Sequence, residues 1–433
     1  MKWPLLLFYF FGCFISASAQ NRSSAVSDIA ALYKKAEVES YAVLMRRYDE
    51  QIALLTEKAA LANAFSIKAP VSATAINNTL IPVNFIPGEI FGGPAGSFKE
   101  VQFGQQYISS ITFSPQLDVL QPARIAEVPM SKTLHKLAKL QTAQAIEQLK
   151  NELAQGYFSI LAYREQLQIL SKSAQQADSL YQLISSRKEK GLASVQEVND
   201  SRIYSIQQNQ ELETLRNLIT LQGEYLNALF SDSIQIGADA SWYVDLPTDM
   251  PPISTQLSTD IAELQFTYAV QNLRKVRLDQ LPGLSLISNY AWQNNSNSRL
   301  FDPSQRWIQS QYVGLKLNWD LPVSANRITS LSLAKIDNDR ARLGLQRANE
   351  QSVAQKAKLD ANFANASIQL RASDEIVALE LESFGHVTNR FDAGLLDCED
   401  VLRAHRKVIQ SQLNAVSAKA TVAIALENIR NAR

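Results

Sequence analysis

The sequence predicts a mixed α and β chain in which two strand-bearing blocks alternate with two long helical hairpins. Three patterns predict it: the placement of proline, apolar alternation with period two, and apolar recurrence with period 3.5. Seven of the 14 prolines lie between Pro70 and Pro129, and six between Pro247 and Pro322. None falls in the 117 residues from 130 to 246, or in the 111 residues from 323 to 433. Proline inside a helix costs about 3 kcal/mol, so these runs permit long helices. They fit poorly with a two-layer enzyme of short alternating elements or with an all-β sandwich. Charge excludes a further class. In 433 residues, 42 Lys+Arg balance 42 Asp+Glu, and no basic excess points to nucleic acid.

Residues 1–19 read as a signal peptide: Lys2, an apolar run from Leu5 to Ile15, then the small-x-small site Ala17-Ser18-Ala19. The rival reading makes Phe11-Gly12-Cys13 a lipoprotein cleavage box, but apolar residues continue beyond Cys13. Cys398 is then the only cysteine left, so no intramolecular disulfide is expected. No later segment reaches the ~18 apolar residues of a transmembrane helix. The exported chain is either soluble or enters a membrane as strands.

The first half, 20–230, is expected to hold a helix at about 26–62, a strand pair within about 65–128, and a helical hairpin at about 130–230 with its tip at 187–195. Residues 231–253 read as a linker. The second half, 254–433, is expected to repeat the order: a helix at 254–280, a strand pair at about 283–321, and a hairpin at about 325–430 with its tip at 390–398.

The strands rest on alternation. Along 313–321, Val313, Leu315, Leu317, Trp319 and Leu321 point one way, while Gly314, Lys316, Asn318 and Asp320 point the other. Leu284, Leu286, Tyr290 and Trp292 mark a partner at 284–293. A weaker pair, 67–76 and 107–114, is joined by a long loop rich in glycine and proline, Asn77 to Gln106. Trp292, Trp307, Tyr312 and Trp319 cluster near the ends of the second pair, which suits a bilayer interface. The same alternation fits a soluble sheet packed on helices equally well. If the strands lie in a membrane, four cannot close a barrel and open edges are forbidden, so several chains must pool their strands.

The hairpins rest on heptads. Val401, Val408, Ala415, Val422 and Ile429 recur every seven residues, with Ala404, Ser411, Ala418 and Ala425 in the other seam position. Leu212, Leu215, Ile219, Gln222, Leu226 and Leu229 follow the same spacing, and Leu218, Leu221 and Tyr225 add a second stripe. Such a helix packs on neighbours at two sides. Each run is broken once, at Arg187-Lys-Glu-Lys-Gly191-Leu192 and at Arg390-Phe-Asp-Ala-Gly394-Leu395. Glycine after a basic last turn marks a helix C-terminus. The breaks match at an offset of 203, which also pairs Glu197 with Asp400 and Val198 with Val401. The chain thus reads as two repeats.

In these features the sequence resembles the TolC family of outer-membrane efflux proteins over essentially all of the mature chain. The resemblance is carried by Leu281-Pro-Gly-Leu-Ser-Leu-Ile-Ser-Asn-Tyr290, by Val313-Gly-Leu-Lys-Leu-Asn-Trp-Asp-Leu321, and by the repeated glycine–leucine tips. It implies a homotrimer in which each chain gives four strands to a 12-stranded outer-membrane β-barrel. The barrel would be continued by a long α-helical coiled-coil periplasmic tunnel. It further implies an exit channel for efflux or type I secretion, working with a periplasmic adaptor (membrane fusion) protein and an inner-membrane pump of RND or ABC type. A soluble or peripheral periplasmic coiled-coil adaptor or scaffold is the alternative. In the family the tips meet the adaptor, which points to Gly191, Leu192, Gly394 and Leu395. Acidic rings narrow the family's tunnel mouth. Asp400 matches one such position, but the next falls on Arg403. Glu197, Asp397 and Glu399 are the other charges expected near the mouth, where carboxylates would raise the local cation concentration.

An enzyme reading finds little. His135, His386 and His405 have no metal-like spacing to one another or to Cys398, and no phosphate loop or nucleophile elbow occurs. No catalytic residue, metal or cofactor is expected. His405, between Arg403 and Arg406, reads as a surface residue.

Overall fold

The structure, a computed structural model, describes residues 24–65, 67–231, 234–237, 240, 242, 255–321 and 323–432. The expected signal peptide, the Cys13 site and most of the 231–253 linker lie outside the described residues. In chain order the elements are β1 (Ser24–Val26), α1 (Ile29–Glu39), α2 (Tyr41–Asn63), β2 (Ile67–Lys68), β3 (Val71–Asn77), β4 (Val83–Pro87), β5 (Phe98–Gln102), β6 (Tyr107–Phe113) and β7 (Gln116–Leu120). They continue with α3 (Pro122–Glu189), α4 (Val195–Ala228), β8 (Ile234–Ile236), α5 (Gln256–Leu278), β9 (Gly283–Ser296), β10 (Ile308–Asn318), α6 (Ala325–Asp392) and α7 (Cys398–Asn431). Two compact units result, one from residues 48–141 and 257–352, the other from the remainder.

The first unit is organised by one antiparallel sheet. β3 pairs with β6, β6 with β9, and β9 with β10. Prolines interrupt two of the strands without ending them. Pro70 separates β2 from β3, and Pro115 separates β6 from β7; β2 then pairs with β7, and β7 with β9. Proline cannot donate to a ladder, so it is confined to such breaks and to strand edges. The result is four strands with β9 inside and two open edges, β2–β3 and β10. The helices α2, α3, α5 and α6 all join the sheet at one end. The chain segments 78–106 and 297–307 connect strands at the other end.

Three boundaries differ from the sequence reading. The 77–106 segment is not merely a loop, because β4 and β5 form a separate antiparallel hairpin within it. The helix expected at 26–62 is two helices. Ser40 leaves helical geometry (φ −71°, ψ 134°), is fully buried, and forms an isolated bridge with Phe230. α3 begins at Pro122, not near 130, and carries Pro129 inside its first turns. Proline suits a helix start, where its missing donor would be unpaired anyway. Pro129 lies just beyond, with the Thr133 hydroxyl donating back to its carbonyl at 3.0 Å.

In the second unit, α1, α3, α4 and α7 share a core of Leu32, Leu153, Tyr157, Phe158, Leu226 and Ala423. α3 and α4 approach closely at Gly156, where a Cβ would fall 2.5 Å from the Leu226 side chain. The α7 heptad seam is buried at Val401, Val408, Val422 and Ile429. Two pairs of helices match in length. α3 and α6 have 68 residues each, α4 and α7 have 34 each, and all four boundaries are 203 residues apart.

Candidate functional site

The sheet register assigns its faces. Leu315 lies opposite Leu286, which lies opposite Leu117, which lies opposite Ile67, so one apolar row crosses all four strands. On the same face, Ile111 pairs with Trp292, and Phe113 with Tyr290, their rings stacked 6.1 Å apart. The other face carries Lys316, Asn318, Ser285, Thr112 and Ser110. There Asp118 is buried. It accepts hydrogen bonds from Gln116 (2.7 Å), Ser285 (2.8 Å) and Arg124 (2.7 Å), with the Lys68 ammonium at 3.8 Å. Sequence reading missed this network, whose partners come from three strands and a helix.

Among the described residues nothing covers the middle of the apolar face: Leu315 is 71% exposed and Val71 68%. Trp292 closes the apolar band at the loop end, because beyond it the face turns to Ser109 and Asn294. Trp319 follows β10 at the helix end and donates its indole N–H to the Gln280 carbonyl at 3.0 Å. The other two aromatics do not join them. Trp307 lies in the 297–307 connection against Phe301, ring centroids 6.4 Å apart. Tyr312 lies opposite Asn289, on the polar face with Lys316. Its nearness in sequence concealed its parity, and the expectation of an interface tyrosine there is corrected.

The two hairpin tips have one geometry. At the first, Gly191 (φ 73°) donates to the Lys188 carbonyl at 2.9 Å and Leu192 to the Arg187 carbonyl at 2.8 Å. At the second, Gly394 (φ 71°) donates to Phe391 at 2.9 Å and Leu395 to Arg390 at 2.9 Å. This 5→2 and 6→1 pair is the Schellman motif, whose left-handed position glycine fills without a Cβ penalty. The motif commonly tucks the following apolar residue against the helix. Here Leu192 and Leu395 are instead 74% and 68% exposed. The tips stand on a shared core of Ile184, Tyr204, Phe391, Cys398, Val401 and Leu402, and the Arg187 guanidinium lies 4.9 Å over the Phe391 ring.

The charges near the tips are mostly engaged. Ser194 and Glu197 form a reciprocal capping box that starts α4. Asp397 is the N-cap of α7 without a side-chain cap bond. Arg403 donates to Glu399 at 2.8 Å and lies 3.8 Å from Asp400, so one cation sits among the carboxylates. Cys398 is buried, and burial, followed by Glu197 and Asp200, pushes its thiol up to about 11.

His405 is the clearest correction. It is buried at 7% exposure, not on the surface. Its Nδ1 lies 2.6 Å from the Tyr204 hydroxyl and its Nε2 2.9 Å from Gln176 Oε1, which ties α7 to α4 and α3. Burial lowers its pKa. The flanking arginines suggested a surface position. The 4-3-4 spacing of Cys398, Leu402, His405 and Ile409, all buried, marks the seam it occupies.

Together these features define a class: a four-stranded sheet with one uncovered apolar face, joined to paired helical hairpins whose tips display leucine. The comparisons specify it further. Residues 259–433 match the outer membrane efflux protein family. The chain is 22% identical over 334 residues to the outer membrane protein TolC of Vibrio cholerae, covering 75% of this chain and 76% of that one. Its fold matches VceC, an outer membrane protein of Vibrio cholerae, with TM-score 0.71 and 16% identity over 93% of this chain and 95% of that one. It also matches the CmeC outer membrane channel of Campylobacter jejuni, with TM-score 0.70 and 13% identity over 100% of this chain and 93% of that one. The fold is the one these outer membrane proteins share, and the match to the family model falls in the second half of the chain.

Proposed function

We propose that the protein is the outer-membrane exit channel of a tripartite efflux or type I secretion system in a Gram-negative bacterium. It conducts passively, and an inner-membrane pump of RND or ABC type and a periplasmic adaptor deliver the substrate. The observation that carries this reading is the uncovered apolar band bracketed by Trp292 and Trp319. Gln309, opposite Trp292, is ten residues from Trp319. That is about 33 Å of strand, or about 25 Å along the membrane normal at the usual barrel tilt, which is the height of a barrel's apolar belt. A soluble scaffold would need this face covered.

The oligomer follows from the edges. Unpaired backbone groups are not tolerated in lipid, and both β3 and β10 are open. Three copies of four antiparallel strands give a closed 12-stranded barrel, with the Lys316 face toward water. The second stripe of α4 supports neighbours as well: Leu221 and Tyr225 are 66% and 47% exposed. The constant offset between α3–α4 and α6–α7 supports two internal repeats, whose helices line the tunnel. Gly191, Leu192, Gly394 and Leu395 present the adaptor surface, and Glu197, Asp397, Glu399, Asp400 and Arg403 set the charge at the mouth. Trp292 and Trp319 anchor the interfaces.

Fractionation tests the reading. The protein should sediment with outer membranes and leave detergent extraction as a stable trimer by light scattering. Recovery as a soluble monomer would refute it.

A further inference from the structure

Charge is spread unevenly over the polar face of the sheet. Only three charged residues occur in β2, β3, β6, β7, β9 and β10: Lys68, Asp118 and Lys316. The register puts all three on the polar face, in two neighbouring rows at its helix end. Lys68 lies opposite Gln116, which lies opposite Ile287. Asp118 lies opposite Ser285, which lies opposite Lys316. The rows are two residues apart, about 7 Å along the strands. From there to the loop end the face is neutral, with Ser72, Thr74, Ser110, Thr112, Asn289 and Ser310.

The one carboxylate does not balance this cluster. Asp118 is 1% exposed, and its oxygens are taken by Gln116, Ser285 and Arg124. The Arg124 guanidinium, from the first turn of α3, neutralises it at 2.7 Å. Lys68 stands 3.8 Å from the same carboxylate with its side chain 53% exposed. Lys316 is exposed and has no ion-pair partner among the described residues. The adjoining pairs Arg327–Asp320, at 3.4 Å, and Lys275–Glu127, at 2.9 Å, compensate themselves. Three cations against one buried carboxylate leave two net positive charges per chain, carried by the two lysines that water reaches.

We propose that Lys68 and Lys316 form a collar that attracts multivalent anions, phosphate- or carboxylate-bearing, to the conducting face. The collar rests on the barrel reading, in which three chains bring six lysines around one lumen, at the level where strands meet helices. Low-dielectric walls focus such a field, and rings of cationic side chains favour anions in a pore. An ammonium is a point charge without the fork of a guanidinium. The collar therefore selects charge and does not separate phosphate from carboxylate by geometry.

Inorganic triphosphate is the probe. Titrated by calorimetry into the detergent-extracted protein at low salt, it should bind, and Lys68→Gln with Lys316→Gln should weaken that binding about tenfold. Lys316 makes none of the Asp118 contacts, so Lys316→Gln alone should give part of the loss with the unfolding temperature unchanged. Lys172→Gln, which removes an exposed lysine of α3, should leave binding as it is. In planar bilayers triphosphate should reduce the wild-type conductance and spare the double variant. At 1 M salt, where the screening length is about 3 Å, the difference should vanish. A trimer by light scattering that binds no triphosphate, or binds it equally without the two lysines, would overturn the collar and leave the barrel reading standing. A monomer would overturn both.

Discussion

The Tyr204 hydroxyl lies 2.6 Å from Nδ1 of His405, and the opposite ring nitrogen lies 2.9 Å from Gln176 Oε1. The neutral ring satisfies both: Tyr204 donates to Nδ1, and Nε2–H donates to Gln176. Protonation would convert Nδ1 to a donor and leave Tyr204 without its acceptor. The nearby charges are Arg406 over the Tyr204 ring at 5.5 Å, Glu211 on α4, and Asp178 on α3, which accepts from Ser205. Phe384 of α6 closes the remaining side, 5.3 Å from the imidazole.

Stability should therefore fall on mild acidification. Above the unfolded histidine pKa of about 6.5, both states are neutral and His405 contributes no pH dependence. Burial lowers the folded pKa, so below 6.5 only the unfolded chain takes up the proton, and stability drops until the folded pKa is reached. The unfolding temperature should decline from pH 6.5 downward, and His405→Gln should reduce that slope. An unchanged slope in the variant would exclude His405 as its source. Tyr204→Phe should cost about 1–3 kcal/mol at neutral pH, because it strands a buried acceptor.

The tips give a prediction that separates fold from docking. Gly191→Ala and Gly394→Ala place a Cβ in the left-handed region, at about 1–2 kcal/mol each, and should fray the adjoining turn by hydrogen exchange. Leu192→Glu with Leu395→Glu touches neither Schellman bond. If the protein is the proposed channel, that pair should abolish export while the mass of the detergent-extracted assembly and membrane insertion are unchanged. Normal export in the double variant would remove the leucines from the docking surface.

Legibility in the sequence followed the length of each pattern. The long helices were plain because heptads repeat over many turns and proline is absent. The second strand pair was plain because β10 alternates strictly. The three-residue β1–β8 pair is too short to show periodicity. The β4–β5 hairpin was hidden because its turn is a helical turn and loop, not a two-residue signal. Tyr312 and His405 were misread although their positions carried the signal. Parity with Lys316 placed the first, and spacing to Leu402 and Ile409 placed the second. The Asp118 network joins residues distant in the chain, and no periodicity reports it.

Cys398 provides a check on the tip core. With 1% exposure and a thiol raised to about 11, it should resist alkylation at pH 8 in the folded protein and react at once in denaturant. Rapid labelling of the native protein would mean that the core under the tips opens.

The sheet faces make opposite predictions for adjacent residues. Leu315→Lys puts a charge in the middle of the apolar band and should cost about 2–4 kcal/mol of assembly in the membrane. Gly314→Lys places the same charge one residue away on the polar face, where nothing lies within 4 Å of the added Cβ. It should assemble normally and shift conductance. Equal loss of membrane-assembled protein in both variants would reject the assignment of faces.

The charge at the tips sets a last expectation. Glu399 and Asp400 carry two negative charges per chain near the second tip, and Arg403 holds both. All three side chains are well exposed, so the pairs contribute little to stability, and Arg403→Gln should leave the unfolding temperature nearly unchanged. Its effect should be on the field. Removing the cation releases two carboxylates per chain, which in the proposed trimer makes six around the mouth, and should raise local cation concentration. Reversal potentials across planar bilayers under a salt gradient should shift toward cation selectivity, more strongly at low salt than at 1 M, where the screening length is about 3 Å. An unchanged reversal potential at low salt would place these residues away from the conducting path.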